Sequence, residues 1–187
     1  SVSRSRTTSL ITMKASPWQQ QLLLDLQAFD TQLVRLARKR AQLPERAQLE
    51  ALGSETVAAR DAFMAAQRAL EDLNTEIARV ESDVETVRAR HARTTERLAG
   101  SVAAKEAQSL QEELDSLNKR TTVLEDRELE LMEEAETAQQ AFDAAAATVA
   151  DIDQRRTDLE RRIAEAETEI DAAYDQTSQD RENLAAE

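Results

Sequence analysis

From Leu110 to Leu184 apolar residues recur at alternating intervals of four and three, and no Gly or Pro interrupts them. Seventeen of the 22 positions on this lattice are apolar; Thr121, Glu128, Arg156, Thr177 and Asp180 are the exceptions. Such spacing puts one narrow stripe along one side of an α-helix. Sustained over this many heptads it describes a coiled coil, because an ordinary globular helix meets a cap or a breaker much sooner. Eighty residues of helix would extend about 120 Å.

The first half of the chain carries a matching pattern with punctuation. Ser16-Pro17-Trp18-Gln19 reads as a helix start: a hydroxyl to accept from a free backbone N–H, Pro at the first helical position, and Gln to complete a capping box. Leu22, Leu26, Phe29, Leu33, Leu36 and Leu43 follow with 4-3 spacing, broken only by Arg40. Pro44 must interrupt, since it lacks an N–H and disfavours helical geometry at Leu43. A short piece with Leu49 and Leu52 is expected to end at Gly53, with Ser54 capping the next helix. From Phe63 to Leu98 nine of eleven lattice positions are apolar, His91 and Thr94 being the others. That lattice is out of phase with the one ending at Leu43, so the seam changes phase between Pro44 and Gly53.

Gly100-Ser101 marks a helix stop, with Ser101 a candidate cap for the second arm. The two arms flanking it have similar lengths. Folding the chain there predicts an all-α, long antiparallel two-helix coiled-coil hairpin: arm one over 16–99, a turn at 100–104, arm two over 105–187. Partners should then sit at equal distances from the turn. The alanine-rich stretches 58–69 and 135–150 do so, as do Phe63 and Phe142, and Phe29 falls near Tyr174. Small residues on both arms permit close backbone approach.

Composition agrees by exclusion. Two Gly and two Pro are too few for the turns of sandwiches, barrels or doubly wound sheets. Five aromatic residues cannot fill a large isotropic core. A net charge of −13 would suit a disordered chain, but disorder does not space leucines. No apolar run is long enough for a membrane span, and no membrane partner is expected. The lack of Cys removes disulfides and thiolate metal sites and favours a reducing, cytoplasmic setting. Residues 1–12 are rich in Ser, Thr and Arg, and residues 1–15 are expected to be a disordered or extension segment. Acidic residues crowd arm two, so opposite charges are expected to face each other across the seam's flanks.

Catalytic constellations are missing. A Ser-His-Asp triad would need His91, which occupies a seam position. A bundle di-metal site needs Glu-x-x-His, and Arg88 stands three residues before His91. Two isolated glycines make no phosphate loop. The acidic runs near Glu133 and Glu165 read as solvated helix faces. The chain is therefore expected to be no enzyme and to hold no cofactor of its own.

Binding features are clearer. Arg88, Arg90, Arg93 and Arg97 approach the turn, and Lys105, Lys119 and Arg120 return from it. A basic tip of this kind suits phosphates or an acidic partner, although Glu106, Glu112, Glu113 and Asp115 share the region and no aromatics interleave. A second cluster, Arg35, Arg38, Lys39 and Arg40 with Arg46, Arg155, Arg156, Arg161 and Arg162, reads either as ion pairs or as a docking patch.

The stretches KEAQSLQEELDSLNKR (Lys105–Arg120) and LEDRELELMEE (Leu124–Glu134) resemble a known bacterial family, as do MKASPWQQQLLLDLQAFDTQL (Met13–Leu33) and the Leu43-Pro44 step. It comprises coiled-coil proteins, particularly actinobacterial ones, that end in a four-cysteine zinc ribbon. The resemblance implies a long helical hairpin followed by two Cys-x-x-Cys knuckles, with roles as nucleic-acid-binding or protein-interaction adaptors. Some relatives are linked to flagellar or secretion-associated factors. Because this chain has no cysteine, the resemblance places any zinc in a ribbon beyond Glu187. The first expectation is an adaptor hairpin with a protein partner, nucleic acid being engaged mainly through that ribbon. An RNA-binding arm, resembling the tRNA-contacting hairpin of seryl-tRNA synthetases, is the second. A self-associating structural or chaperone-like coiled coil, forming a homodimer of hairpins, is the third.

Overall fold

The computed structural model describes residues 16–187; the expectation for residues 1–15 lies outside them. The described residues form three helices, α1 (Pro17–Ala41), α2 (Pro44–Ala99) and α3 (Ala104–Ala185). The helix α3 returns antiparallel to the other two, giving the two-armed coiled-coil hairpin that the lattices require.

The helix α1 begins with the expected capping box: Gln19 N–H donates to Ser16 Oγ at 3.2 Å, and Ser16 N–H donates to Gln19 Oε1 at 3.0 Å. It ends at Ala41, with Arg38, Lys39 and Arg40 in the last turn, where the negative end of the helix dipole favours cations. Only Gln42 and Leu43 separate it from α2, which starts on Pro44. In a continuous helix the N–H of residue 44 would bond the carbonyl of Arg40. Proline has no such donor. The guanidinium of Arg46 supplies one instead, its Nε donating to the Arg40 carbonyl at 3.0 Å.

Gly53 does not end a helix. It lies inside the 56-residue α2, and Ser54 caps nothing, its hydroxyl donating to the Ala51 carbonyl at 3.3 Å. A lone Gly costs a helix only about 1 kcal/mol, which the flanking seam residue Leu52 readily offsets by packing. Leu43, Arg46, Leu49 and Leu52 are covered, so the seam changes phase between Pro44 and Gly53 as the lattices require. The turn comprises residues 100–103. Gly100 takes no left-handed conformation, so the reversal does not use the glycine's special backbone freedom. Ser101 also fails as a cap: α3 starts later, with the Ala103 carbonyl accepting from Ala107 at 3.0 Å.

Contacts divide the chain into two compact units. Of the described residues, one takes in 16–50 together with Arg156–Glu187. Its core is Leu36, Leu43, Ile163 and Ile170, with Leu49 and Ala166 packed against them. Leu43, at the break itself, is buried, so the interruption is anchored in the seam. The other unit, Ala51–Arg155, is built on Val80, Val84, Leu124 and Leu131, supported by Leu73, Ile77 and Val87. There the rings of Phe63 and Phe142 lie 5.0 Å apart at 38°, which sets the two alanine-rich stretches at one level.

The lattices map onto burial closely. Every position from Phe63 to Leu98 is buried or half-buried, including His91 and Thr94. The same holds for α3 from Leu110 to Leu184, Ala173 apart. One pairing differs from expectation. Phe29 shares a cleft with Asp180, Asn183 and Leu184, and Asp30 pairs with Arg181, so Phe29 meets α3 roughly two turns past Tyr174. Each non-helical residue at the break advances the chain by up to about 3.5 Å instead of 1.5 Å, which contributes to the offset.

Two substitutions test this description. Leu131 is fully enclosed while Leu129 is 63% exposed. Leu131→Ala should cost about 2–5 kcal/mol in thermal or urea unfolding, and Leu129→Ala less than about 0.5. Equal effects would contradict the seam assignment. The added methyl of Gly53→Ala meets nothing within 4 Å. It should therefore stabilise by about 0.5–1 kcal/mol, a gain that a helix end at Gly53 would not give.

Candidate functional site

Seven cations were expected to crowd the hairpin tip, and they divide by pairing. Both Nε and a terminal nitrogen of Arg90 reach Glu113 Oε1 at 2.9 Å, and Arg88 approaches Glu125 at 3.6 Å. These two belong to the flank of the seam. Arg93, Arg97, Lys105, Lys119 and Arg120 are exposed and form no ion pair among the described residues. The tip therefore offers five uncommitted cations, three of them on α3 beside its own acids.

The second cluster divides in the same way. Arg40 places Nε 2.9 Å from Asp171 and a terminal nitrogen 2.6 Å from Glu167, while Arg46 reaches the other Glu167 oxygen at 3.0 Å. Glu167, on α3, thus holds the end of α1 and the start of α2 together. The hydrogen bond to Asp171, with the Coulombic pull of both acids, holds the Arg40 guanidinium above its ordinary pKa. A raised basic pKa means this contribution is complete below the ordinary arginine value and is lost only above it. Across working pH the cation is constant. Arg155 pairs with Glu55 and Asp151, and Arg161 with Glu165. Arg35, Arg38 and Lys39 form no ion pair among the described residues, and the first two edge a groove on the outward side of α1.

Across the seam, acids on α3 meet cations of the first arm at Arg40, Arg46, Arg88 and Arg90. Three pairs run the other way: Asp30–Arg181, Glu55–Arg155 and Glu76–Arg127. The hydrogen bond to Glu76 raises the pKa of Arg127, and that to Asp30 raises Arg181. Sequence inspection missed the part played by Arg46 and Glu167. The available signal was an arginine two residues beyond a helix-breaking proline.

His91 sits half-buried in the seam, its Nδ1 3.5 Å from the Thr95 hydroxyl, which itself donates to the His91 carbonyl at 2.8 Å. Among the described residues no three His, Asp or Glu side chains gather into a group suited to a metal ion. With no Cys in the chain either, the residues present do not fit the four-thiolate zinc site that the sequence resemblance implies. No described helix is long and apolar enough to cross a membrane.

Residues 26–187 match the model of the CT398-like coiled coil hairpin domain. The chain belongs to this family. Over 180 residues it is 38% identical to the uncharacterized protein MT2288 of Mycobacterium tuberculosis, covering 93% of this chain and 71% of that one. It is 33% identical over 131 residues to ML1638 of Mycobacterium leprae, covering 70% and 55%. A solved structure from Mycobacterium smegmatis superposes with a TM-score of 0.77 at 30% identity, covering 93% of this chain and 72% of that one. CT398 of Chlamydia trachomatis superposes at 0.60 with 17% identity, covering 89% and 70%, and shares the fold. The chain is thus a bacterial-type coiled-coil hairpin.

The Glu167 joint generates a prediction. Glu167→Gln keeps the size but removes the charge that Arg40 and Arg46 share. Limited proteolysis should then cut faster around Gln42, while cleavage near the Phe63–Phe142 level stays unchanged. Uniform acceleration at both places would mean that Glu167 stabilises the fold generally rather than the joint.

Proposed function

We propose that the chain is a non-enzymatic adaptor: a coiled-coil hairpin that presents docking surfaces to a protein partner in the cytoplasm. One observation carries this reading. The flanks of the seam are closed by cross-arm ion pairs, whereas Arg35, Arg38 and Lys39, and the tip set Arg93, Arg97, Lys105, Lys119 and Arg120, are left uncommitted. Cations that serve no internal contact are available to an external one. Exposed Val57, Met64, Leu129 and Met132 add apolar surface that a two-helix seam cannot cover.

In its finer form the hairpin is the helical part of a longer protein with a four-cysteine zinc ribbon outside this sequence. The quoted motifs support that form, as does the greater length of the mycobacterial relatives. Reading the gene beyond Glu187 should reveal two Cys-x-x-Cys pairs; their absence would remove the ribbon and its zinc.

A second reading, an RNA-binding arm, is favoured by the tip cations alone. Set against it are the net charge of −13 and the acids beside the tip. Arg93→Glu combined with Arg97→Glu separates the two. The adaptor reading expects no RNA retention by the parent chain at physiological salt. If the parent retains RNA and the double variant loses it, with a reduced salt slope, the RNA-binding reading takes its place. Self-association, as a dimer of hairpins, is a third reading that light scattering of the purified chain measures directly.

A further inference from the structure

The outward side of α1 departs from the rest of the chain. One third of all residues are charged, yet between Pro17 and Val34 the only charged residues are Asp25 and Asp30. Asp25 lines the cleft toward α3 with Phe29 and Asn183, while Asp30 edges the groove beside Val34 and Arg35 but is already paired with Arg181. Apart from this paired Asp30 at its edge, the side of α1 facing away from the seam carries no charge for about five turns before Arg35. It exposes Leu23, Leu24 and Val34 by 61%, 59% and 57%, with Gln27, Ala28 and Thr31 between them. Leu24 and Val34 edge adjoining grooves that share Gln27, Thr31 and Arg35. At its end come Arg35, Arg38 and Lys39, the cations without internal partners.

We propose that the outward face of α1 is a docking surface for an amphipathic helix of a partner protein, one that carries Asp or Glu beside its apolar stripe. This rests on the adaptor reading and names the surface and chemistry that it leaves open. Solvated faces of coiled coils are ordinarily charged, and a neutral stripe there offers apolar contact without desolvating ions. Spacings of three and four between Leu24, Gln27, Thr31 and Val34 match the anchors of a helix laid alongside. The uncommitted cations stand at one end only, so the partner's acids belong beside Arg35–Lys39, which fixes its direction. A second copy of this face would set largely neutral surface on neutral surface, and the one acid at its edge, Asp30, is already held by Arg181. Gln20, Gln27 and Thr31 within the stripe make it a poor fit to lipid.

The test uses the full chain in its own cells, with a photo-crosslinking benzoylphenylalanine in place of the exposed Thr31 or, separately, of Arg97 at the tip. Mass spectrometry then identifies the segment attached. The expected adduct at Thr31 is a helix-forming segment with apolar residues at intervals of three and four, flanked by Asp or Glu. A synthetic peptide of that segment should bind the parent chain. Arg35→Glu with Arg38→Glu should weaken it about tenfold, as should Leu24→Asp with Val34→Asp, with circular dichroism unchanged for both. Adducts with this chain itself, with lipid or nucleic acid, or with a basic segment would overturn the proposal, as would unchanged peptide affinity in either variant. A protein captured from Arg97 but not from Thr31 would leave the adaptor reading standing and end this one. No adduct from either position would end both.

Discussion

A residue in a two-helix seam is covered by one neighbour and by the stems of its own helix, and elsewhere it meets water. Among the described residues Leu131 alone is fully enclosed. Apolar burial contributes roughly 25 cal/mol per Å², so a narrow seam must be long to be stable. Uninterrupted 4-3 spacing, the scarcity of breakers and the sheer length of α3 all serve that requirement. The ion pairs along the flanks are its complement. Each is exposed and individually weak, and their value lies in selecting which residues face each other.

That division of labour explains why the surface is informative. Charges drawn into the flanks, such as Arg40, Arg90 and Arg127, are accounted for by α3 or α2. What remains outside the seam is held by no internal demand, and so its chemistry reports on the surroundings. Membership of the CT398-like hairpin family adds the fold of relatives to this picture. The functional content comes from the residues that the hairpin itself does not use.

The seam was legible because 4-3 periodicity is a direct image of helix geometry, and lattice positions as polar as Thr94 and Arg156 proved to be covered. The capping box at Ser16 was equally legible, being a local arrangement of four residues. Gly53 misled because an intrinsic preference of about 1 kcal/mol is easily overridden by tertiary packing. The level of Phe29 could not be read, since the offset accumulates at a break whose geometry depends on both arms. The candidate cations were visible as residues, but not which of them were occupied. Occupation depends on the register against α3, and Glu167 can be matched to Arg40 and Arg46 only once that register is known.

The short break at Gln42–Leu43, with Arg46 standing in for the donor that Pro44 lacks, has a consequence for how such a chain tolerates change in length. Within α3 an inserted or deleted residue turns everything beyond it by about 100°, carrying the apolar stripe out of the seam. At the break no continuous backbone ladder transmits that rotation, and a long, flexible guanidinium can reach a displaced carbonyl. Insertions and deletions among relatives should therefore gather at this point of the first arm, while the opposing arm keeps its length residue for residue.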